Sequence, residues 1–156
     1  MTHPPPPPGH AALRRHRCSV PHHAYHLTSA TVEHIPHFIG NTASAVAQCF
    51  HSTALWGDAT ALAWVLMPDH AHWLVQLGEN NCLASVVNRV KSASARTANG
   101  AEGRRAGRVW APSYFERHIR SDDDLAIVAR YICENPLRAG LVASLSEYPF
   151  WYSAYP

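Results

Sequence analysis

The sequence lacks the features that mark several common classes of protein. Its four cysteines, Cys18, Cys49, Cys82 and Cys133, form no Cys-x-x-Cys pair, which argues against a zinc knuckle and favours reduced thiols in a cytoplasmic protein. No apolar run approaches the length of a membrane span, and the N-terminus has no apolar signal region, so we expect neither membrane insertion nor secretion. No Gly-x-x-x-x-Gly-Lys-[Ser/Thr] motif occurs, so no ATP site is predicted.

Charged residues are also few, and they are unevenly distributed. They make up 15% of the 156 residues, and Lys91 is the only lysine. The segment from Arg89 to Arg120 holds eight basic and two acidic residues, a net charge of +6, whereas the rest of the chain carries −4. Arginine suits bidentate phosphate contacts and stacking on bases, so the segment indicates a polyanion partner, with a solvated surface as the alternative. The predicted DNA contacts are Arg89, Lys91, Arg96, Arg104, Arg105, Arg108, Arg117 and Arg120.

The length predicts one domain at residues 20–156, after a flexible Pro- and Arg-rich tail at residues 1–19. Hydrophobic periodicity predicts strands over 25–32, 61–67, 70–77 and about 114–119, and helices over 38–54, 82–98 and 123–134. A Gly- and Arg-rich loop is predicted over 99–107, and the aromatic end after residue 146 is either a strap over the core or a base-stacking surface. This βαββαβ order is typical of ferredoxin-like α+β folds, which have an antiparallel sheet with two helices on one face. The additional C-terminal helix can pack on the other face.

The stretch from Trp64 to Gln76 carries candidate metal ligands. Pro68-Asp69 forms a turn between two apolar strands, and His70 and His72 stand at the start of the second strand. Side chains two apart on a strand point to the same face, where two imidazoles can share one divalent metal ion. With 12 histidines in the chain, about one His-x-His pair is expected by chance, so strand histidines satisfied by neighbours are the alternative.

The last predicted helix, whose start is signalled by Ser121-Asp-Asp-Asp124, carries the other half of this pattern. Tyr131 and Asn135 are four apart and share a helix face beside the apolar stripe. Tyr131 can then point toward the sheet face that carries the histidines, and Asn135 can add an oxygen ligand. This combination suggests transesterification, in which a metal orients a phosphate and the tyrosine hydroxyl attacks phosphorus. For Tyr131 alone, an ordinary half-buried tyrosine is the alternative.

Four blocks resemble the REP-associated tyrosine transposases, relatives of the single-tyrosine insertion-sequence transposases with an HUH motif. They are Met67-Pro-Asp-His-Ala-His-Trp-Leu-Val75, Arg89-Val-Lys-Ser-Ala-Ser-Ala-Arg96, Val109-Trp110 with Tyr114-Phe-Glu-Arg117 and Ile119-Arg120, and Tyr131-Ile-Cys-Glu-Asn-Pro-Leu-Arg-Ala-Gly-Leu-Val142. The resemblance implies a ferredoxin-like fold, Tyr131 as the nucleophile, His70 and His72 as ligands of Mg²⁺ or Mn²⁺, and Asn135 in the third-ligand position. It also implies cleavage of single-stranded DNA at repetitive extragenic palindromes, which are hairpins, leaving a 5′-phosphotyrosine and a free 3′-hydroxyl.

Other enzyme classes fit less well. An amidohydrolase barrel needs a longer chain, and a His-x-His-x-Asp-His hydrolase motif fails because Leu74 and Val75 occupy its last two positions. A non-catalytic hairpin-DNA-binding protein and a His-metal hydrolase that uses water stay open as alternatives. The resemblance favours a monomer with the whole site in one chain, and a dimer with exchanged helices stays open. We expect a cytoplasmic, nucleoid-associated protein with no membrane partner.

Overall fold

The architecture is an antiparallel sheet with helices on both faces. The structure is a computed structural model, and it describes residues 19–120 and 125–156. The predicted tail, except for Ser19, and the predicted helix start at residues 121–124 therefore lie outside the described residues. Within the described ranges, no helix combines the length and the apolar character needed to span a membrane.

Five strands and five helices make up the described domain. The strands are β1 (Ala24–Ala30), β2 (Thr60–Leu66), β3 (His70–Gln76), β4 (Phe115–Ile119) and β5 (Trp151–Ser153). The helices are α1 (Gly40–His51), α2 (Thr53–Trp56), α3 (Leu83–Ala101), α4 (Leu125–Cys133) and α5 (Asn135–Arg138), with short 3₁₀ turns at Val32–His34 and Leu145–Glu147. The strand order is β4-β1-β3-β2-β5, and all neighbours are antiparallel. The predicted α+β class and the ferredoxin-like order βαββαβ are confirmed, and β5 adds a fifth strand.

The face covered by α1 and α3 holds the larger core. Trp64 of β2 and Trp73 of β3 are almost fully buried there, and Phe50 of α1 meets both edge-on at ring-centroid distances of 5.3 and 5.5 Å. The stripe of α3 that includes Val86 and Val90 packs against the same cluster. Burial of large aromatic side chains is the main stabilising term in such a core.

Helix α4 covers part of the opposite face. Its Val128, Ala129 and Ile132 belong to the same buried cluster as Val65 and Leu74, which point away from the larger core. The C-terminal aromatic segment closes this side, because β5 pairs with β2 and Trp151 packs on the α4 cluster. Of the two alternatives for the aromatic end, the structure therefore shows the strap over the core. Toward β1 and β4, the same face stays open to solvent.

The predicted Gly- and Arg-rich loop begins later than expected, because α3 continues to Ala101. The buried Asn99 accounts for the difference, since its Nδ2 donates to the carbonyl of Gly107 at 3.0 Å and its own carbonyl accepts from Arg104. These bonds place residues 99–101 in the last helical turn and hold the start and end of the loop together.

Candidate active site

The β2–β3 hairpin determines where the two histidines lie. The backbone N–H of Met67 donates to the carbonyl of His70 at 2.8 Å, which closes a tight turn at Pro68-Asp69. Thr31, at the end of β1, donates its backbone N–H and its hydroxyl to the Asp69 carbonyl at 2.9 and 3.1 Å. These hydrogen bonds fix the β2–β3 turn against the end of β1. His70 and His72 follow it on one sheet face, with ring centroids 5.2 Å apart.

Each of these imidazoles is held through its Nδ1 atom. His70 Nδ1 donates to Asp69 Oδ1 at 2.7 Å, and His72 Nδ1 lies 2.9 Å from Thr28 Oγ1 and 3.0 Å from His26 Nε2. No residue within 19–120 or 125–156 hydrogen-bonds to either Nε2 atom. Metal-binding histidines commonly show this pattern, with one nitrogen held by a protein group and the other free for the metal.

The β1–β3 register explains the contacts of His72. Thr28 is directly opposite His72, and His26 is opposite Leu74, one diagonal step away on the same face. Burial, helped by His26, His70 and Arg138, lowers the pKa of His72 to about 3. Burial and the nearby Arg117 lower the pKa of His26 to about 4. Both rings are therefore neutral near pH 7, and neutral imidazole is the form that binds metal.

Tyr131 lies on α4, and its side chain is 57% exposed. The guanidinium of Arg138 covers its ring, with Cζ 3.9 Å from the ring centroid. Arg138 Nη2 also donates to the Tyr131 carbonyl. Arg138 is also among the causes of the low pKa of His72, after burial, His26 and His70. Arg138 therefore contacts Tyr131 directly and acts on His72 through its charge.

Asn135 lies at the junction of α4 and α5, where Pro136 has no N–H to donate. Its side-chain Nδ2 donates instead to the Ile132 carbonyl at 3.0 Å, the acceptor that residue 136 would serve in a regular helix. This bond determines which end of the amide is the oxygen. Oδ1 accepts no hydrogen bond from the described residues, so it remains available as a ligand.

The donor set fits a divalent metal ion with open coordination positions. Among residues 19–120 and 125–156, no group of three or more His, Cys, Asp or Glu side chains is arranged around a metal position. A metal here would use His70 Nε2, His72 Nε2 and an amide oxygen, and its remaining positions would be filled by water or phosphate oxygens. The roles of these three residues stay predictions.

The predicted DNA-contact residues lie on different parts of the molecule. Arg89, on the helix-covered side, donates to the Leu55 carbonyl and to Asn81 Oδ1, and Lys91 Nζ donates to the Ala111 carbonyl at 2.6 Å. These two side chains therefore have internal structural contacts. Arg117 lies on the histidine side, because β4 places it opposite His26. The other predicted contacts are exposed, and they are Arg96, Arg104, Arg105, Arg108 and Arg120.

Sequence reasoning missed four residues of this site: His26, Thr28, Asp69 and Arg138. Asp69 could have been found, because it precedes His70 in the turn. His26 and Thr28 alternate on β1, but their approach to His72 depends on the β1–β3 register, which the sequence pattern does not determine. Arg138 follows Tyr131 by seven residues, but Asn135-Pro136 lies between them, so helical spacing alone does not predict their contact.

Comparisons with known proteins show which family the chain resembles. The family model described as "Transposase IS200 like" matches residues 19–135. A putative REP-associated tyrosine transposase of Haemophilus influenzae is 31% identical over 98 residues, 57% of this chain and 56% of the relative. The REP-associated tyrosine transposase of Escherichia coli is 28% identical over 90 residues, 56% of this chain and 50% of the relative. The chain thus spans about half the length of the curated relatives it matches.

Two solved structures share the fold. A REP-associated tyrosine transposase bound to a REP hairpin superposes with a TM-score of 0.68 at 22% identity, covering 86% of this chain and 79% of the other. A transposase-like protein of Deinococcus radiodurans, named as putative, superposes with a TM-score of 0.54 at 25% identity, covering 70% of this chain and 87% of the other. The resemblance noted in the sequence is confirmed.

Proposed function

Because the chain belongs to the family of IS200-like transposases, we propose that it is a single-stranded DNA endonuclease and strand transferase. It would cleave beside palindromic hairpin repeats through a metal-assisted 5′-phosphotyrosine intermediate. The observation that carries this proposal is the arrangement on one sheet face. Two imidazoles present free Nε2 atoms there, and Arg138, which stacks on the exposed Tyr131, acts on His72 through its charge.

The protein groups have separate tasks in this reaction. His70 and His72 would bind a divalent ion, Mg²⁺ or Mn²⁺, which when bound polarises and orients the scissile phosphate. Asp69 keeps the ring of His70 in place, and Thr28 with His26 does the same for His72. Asn135 would add its amide oxygen as the third ligand.

Tyr131 would perform the covalent step. Its phenolic oxygen forms a bond to phosphorus as the bond from phosphorus to the 3′ oxygen breaks. The phenol proton passes to solvent, and the leaving 3′ oxygen takes up a proton to become a free 3′-hydroxyl. One phosphodiester replaces another, so attack by a 3′-hydroxyl on the phosphotyrosine can rejoin strands without an external energy source.

The surface beside the site supports a single-stranded DNA partner. Arg117 on β4 supplies a positive charge next to His26, and the neighbouring Phe115 is 68% exposed on the same face. Cationic side chains with exposed aromatic rings are typical of surfaces that bind the backbone and stack the bases of single strands. A similar protein was solved bound to a REP hairpin, which supports a hairpin as the substrate here.

Within one chain, Arg138 contacts Tyr131, and its charge is among the causes of the low pKa of His72. This supports the proposal of a monomer that acts alone, rather than a dimer with exchanged helices. The mass of the protein–hairpin complex in solution tests it. We also propose that the protein works on chromosomal DNA in the cytoplasm.

The test of function is a hairpin oligonucleotide with a single-stranded flank, taken from beside the gene and labelled at its 3′ end. With Mg²⁺ or Mn²⁺, we expect a labelled protein–DNA adduct on a denaturing gel. Tyr131→Phe should fold and bind the DNA but form no adduct, because the attacking oxygen is gone. Tyr152→Phe is the matched control, since Tyr152 is also exposed but faces His51 and Trp64 on the other side of the sheet.

Two other outcomes would replace the proposal. Metal-dependent cleavage that leaves a free 5′-phosphate and no adduct would make water the nucleophile, as in a His-metal hydrolase. Tight binding without any cleavage in either metal would make the protein a non-catalytic hairpin-binding module. Two different hairpins mixed in one reaction give a further check, because strand transfer should produce recombinant strands.

A further inference from the structure

Arg138 makes contacts that its surface position does not require. Its side chain lies on α5, seven residues after Tyr131, and side chains on a helix tilt toward the N-terminus. From there the guanidinium reaches back across the junction of α4 and α5 to cover the tyrosine. It covers one face of the ring, 3.9 Å from the centroid, and bonds to the carbonyl of the same residue.

Arg117 and Arg138 each place a positive charge beside this site, Arg117 at His26 and Arg138 at Tyr131. The carboxylate of Asp69 adds a negative charge beside His70. Of the two cations, Arg138 is the one that touches Tyr131. A DNA phosphate that approached Tyr131 would therefore lie beside Arg138.

We propose that Arg138 binds the scissile phosphate and holds the Tyr131 ring beside it. The inference rests on the proposed strand-transferase function and adds a residue to that site. A planar guanidinium can stack on an aromatic ring with its face and donate parallel N–H groups from its edge to two phosphate oxygens. Arg138 thus places the negative phosphate and the phenol side by side. Lysine keeps the charge but not this geometry.

A binding experiment in EDTA reads this contact without any chemistry and without a metal ion that would bind the same phosphate. The background is Tyr131→Phe, which cannot form the adduct but keeps the aromatic ring under Arg138. The probes are hairpin oligonucleotides, each with one uncharged methylphosphonate at a different position of the flank. With Arg138 present, we expect one position to weaken binding by about tenfold, as for the loss of a charged hydrogen bond. In Arg138→Ala, that position should cost no more than its neighbours.

Arg130→Ala is the matched control. Arg130 precedes Tyr131 on α4 and is exposed, but it lines a cavity with Cys133, Leu145 and Tyr155 on another side of the helix. This variant should keep the position-specific loss. The sensitive phosphate should also coincide with the bond that the protein with Tyr131 cleaves. A position-specific loss that persists in Arg138→Ala would overturn the inference.

Adduct formation gives the second measurement. Arg138→Ala should form the adduct about 100-fold more slowly than the unmodified protein, and Arg138→Lys should be intermediate. Equal rates in all three would also overturn the inference. Absence of adduct in the unmodified protein would instead refute the proposed function, while the methylphosphonate scan would still show whether Arg138 contacts a phosphate. The two failures are therefore distinguishable.

Discussion

At the scale of single residues, the environment of His26 and His72 costs stability in acid and favours metal binding. His26 and His72 are held as neutral rings, with pKa values of about 4 and about 3, chiefly because both are partly buried. Partial burial of an imidazole favours the neutral form, which binds metal, and makes protonation of the folded protein costly. The same feature therefore predicts how stability depends on pH.

Without metal, the protein should lose stability as the pH falls below about 6.5. In that range the unfolded chain takes up protons on these histidines, whereas the folded protein does not until about pH 4 for His26 and about pH 3 for His72. Stability therefore rises with pH, by up to about 1.4 kcal/mol per pH unit for each ring, and these two groups add nothing further above pH 6.5 or so. Urea unfolding in EDTA between about pH 7 and about pH 4.5 measures this slope.

The slope should be smaller in His72→Gln, which removes one of the two titrating rings. His51→Gln is the control, because His51 is exposed on the other side of the sheet and should leave the slope unchanged. An equal slope in the unmodified protein and His72→Gln would show that His72 is not held neutral by the fold.

At the scale of elements, the junction of α4 and α5 links a helix defect to a candidate ligand. Pro136 leaves the Ile132 carbonyl without its helical N–H partner, and the Asn135 amide takes that place. Asn135 would therefore serve both helix stability and the metal. A double-mutant cycle can separate these two roles.

Asn135→Ala should lower the free energy of unfolding by about 1 kcal/mol, because a carbonyl loses its hydrogen bond. In the Pro136→Ala background the cost should nearly vanish, since residue 136 then donates its own N–H to Ile132. Affinity for Mn²⁺, measured by calorimetry, should fall with Asn135→Ala in both backgrounds if Oδ1 is a ligand. If affinity is unchanged in both backgrounds, Asn135 has only the structural role.

At the scale of the whole molecule, sequence periodicity predicted the order of the main elements because each one buries a face. The period of two placed His70 and His72 on one side of β3, as the structure has them. It did not predict β5, because a three-residue strand carries too few residues to show a pattern. Nor did it predict the contacts of His26 and Thr28, which depend on how two distant strands align.

The positions of basic residues along the arginine-rich segment do not determine on which side of the sheet each one lies. Residues 89–120 form a basic run, but α3 and β4 carry them to different sides of the sheet. Arg89 bonds within the protein on the helix-covered side, whereas Arg117 is exposed beside His26. The proposed catalytic face determines which of these positive charges DNA can reach.

Arg117→Ala and Arg89→Ala should therefore behave differently in binding to the hairpin oligonucleotide. Losing Arg117 should weaken binding and reduce the slope of log affinity against log salt by about 0.7, because one phosphate contact on a single strand is lost. Losing Arg89 should leave that slope unchanged and lower the stability instead, since its guanidinium bonds to the Leu55 carbonyl and Asn81. The triple variant Arg104→Ala/Arg105→Ala/Arg108→Ala tests the exposed loop in the same way. An unchanged slope in Arg117→Ala, with a reduced slope in the triple variant, would move the DNA path from the histidine face to the loop after α3.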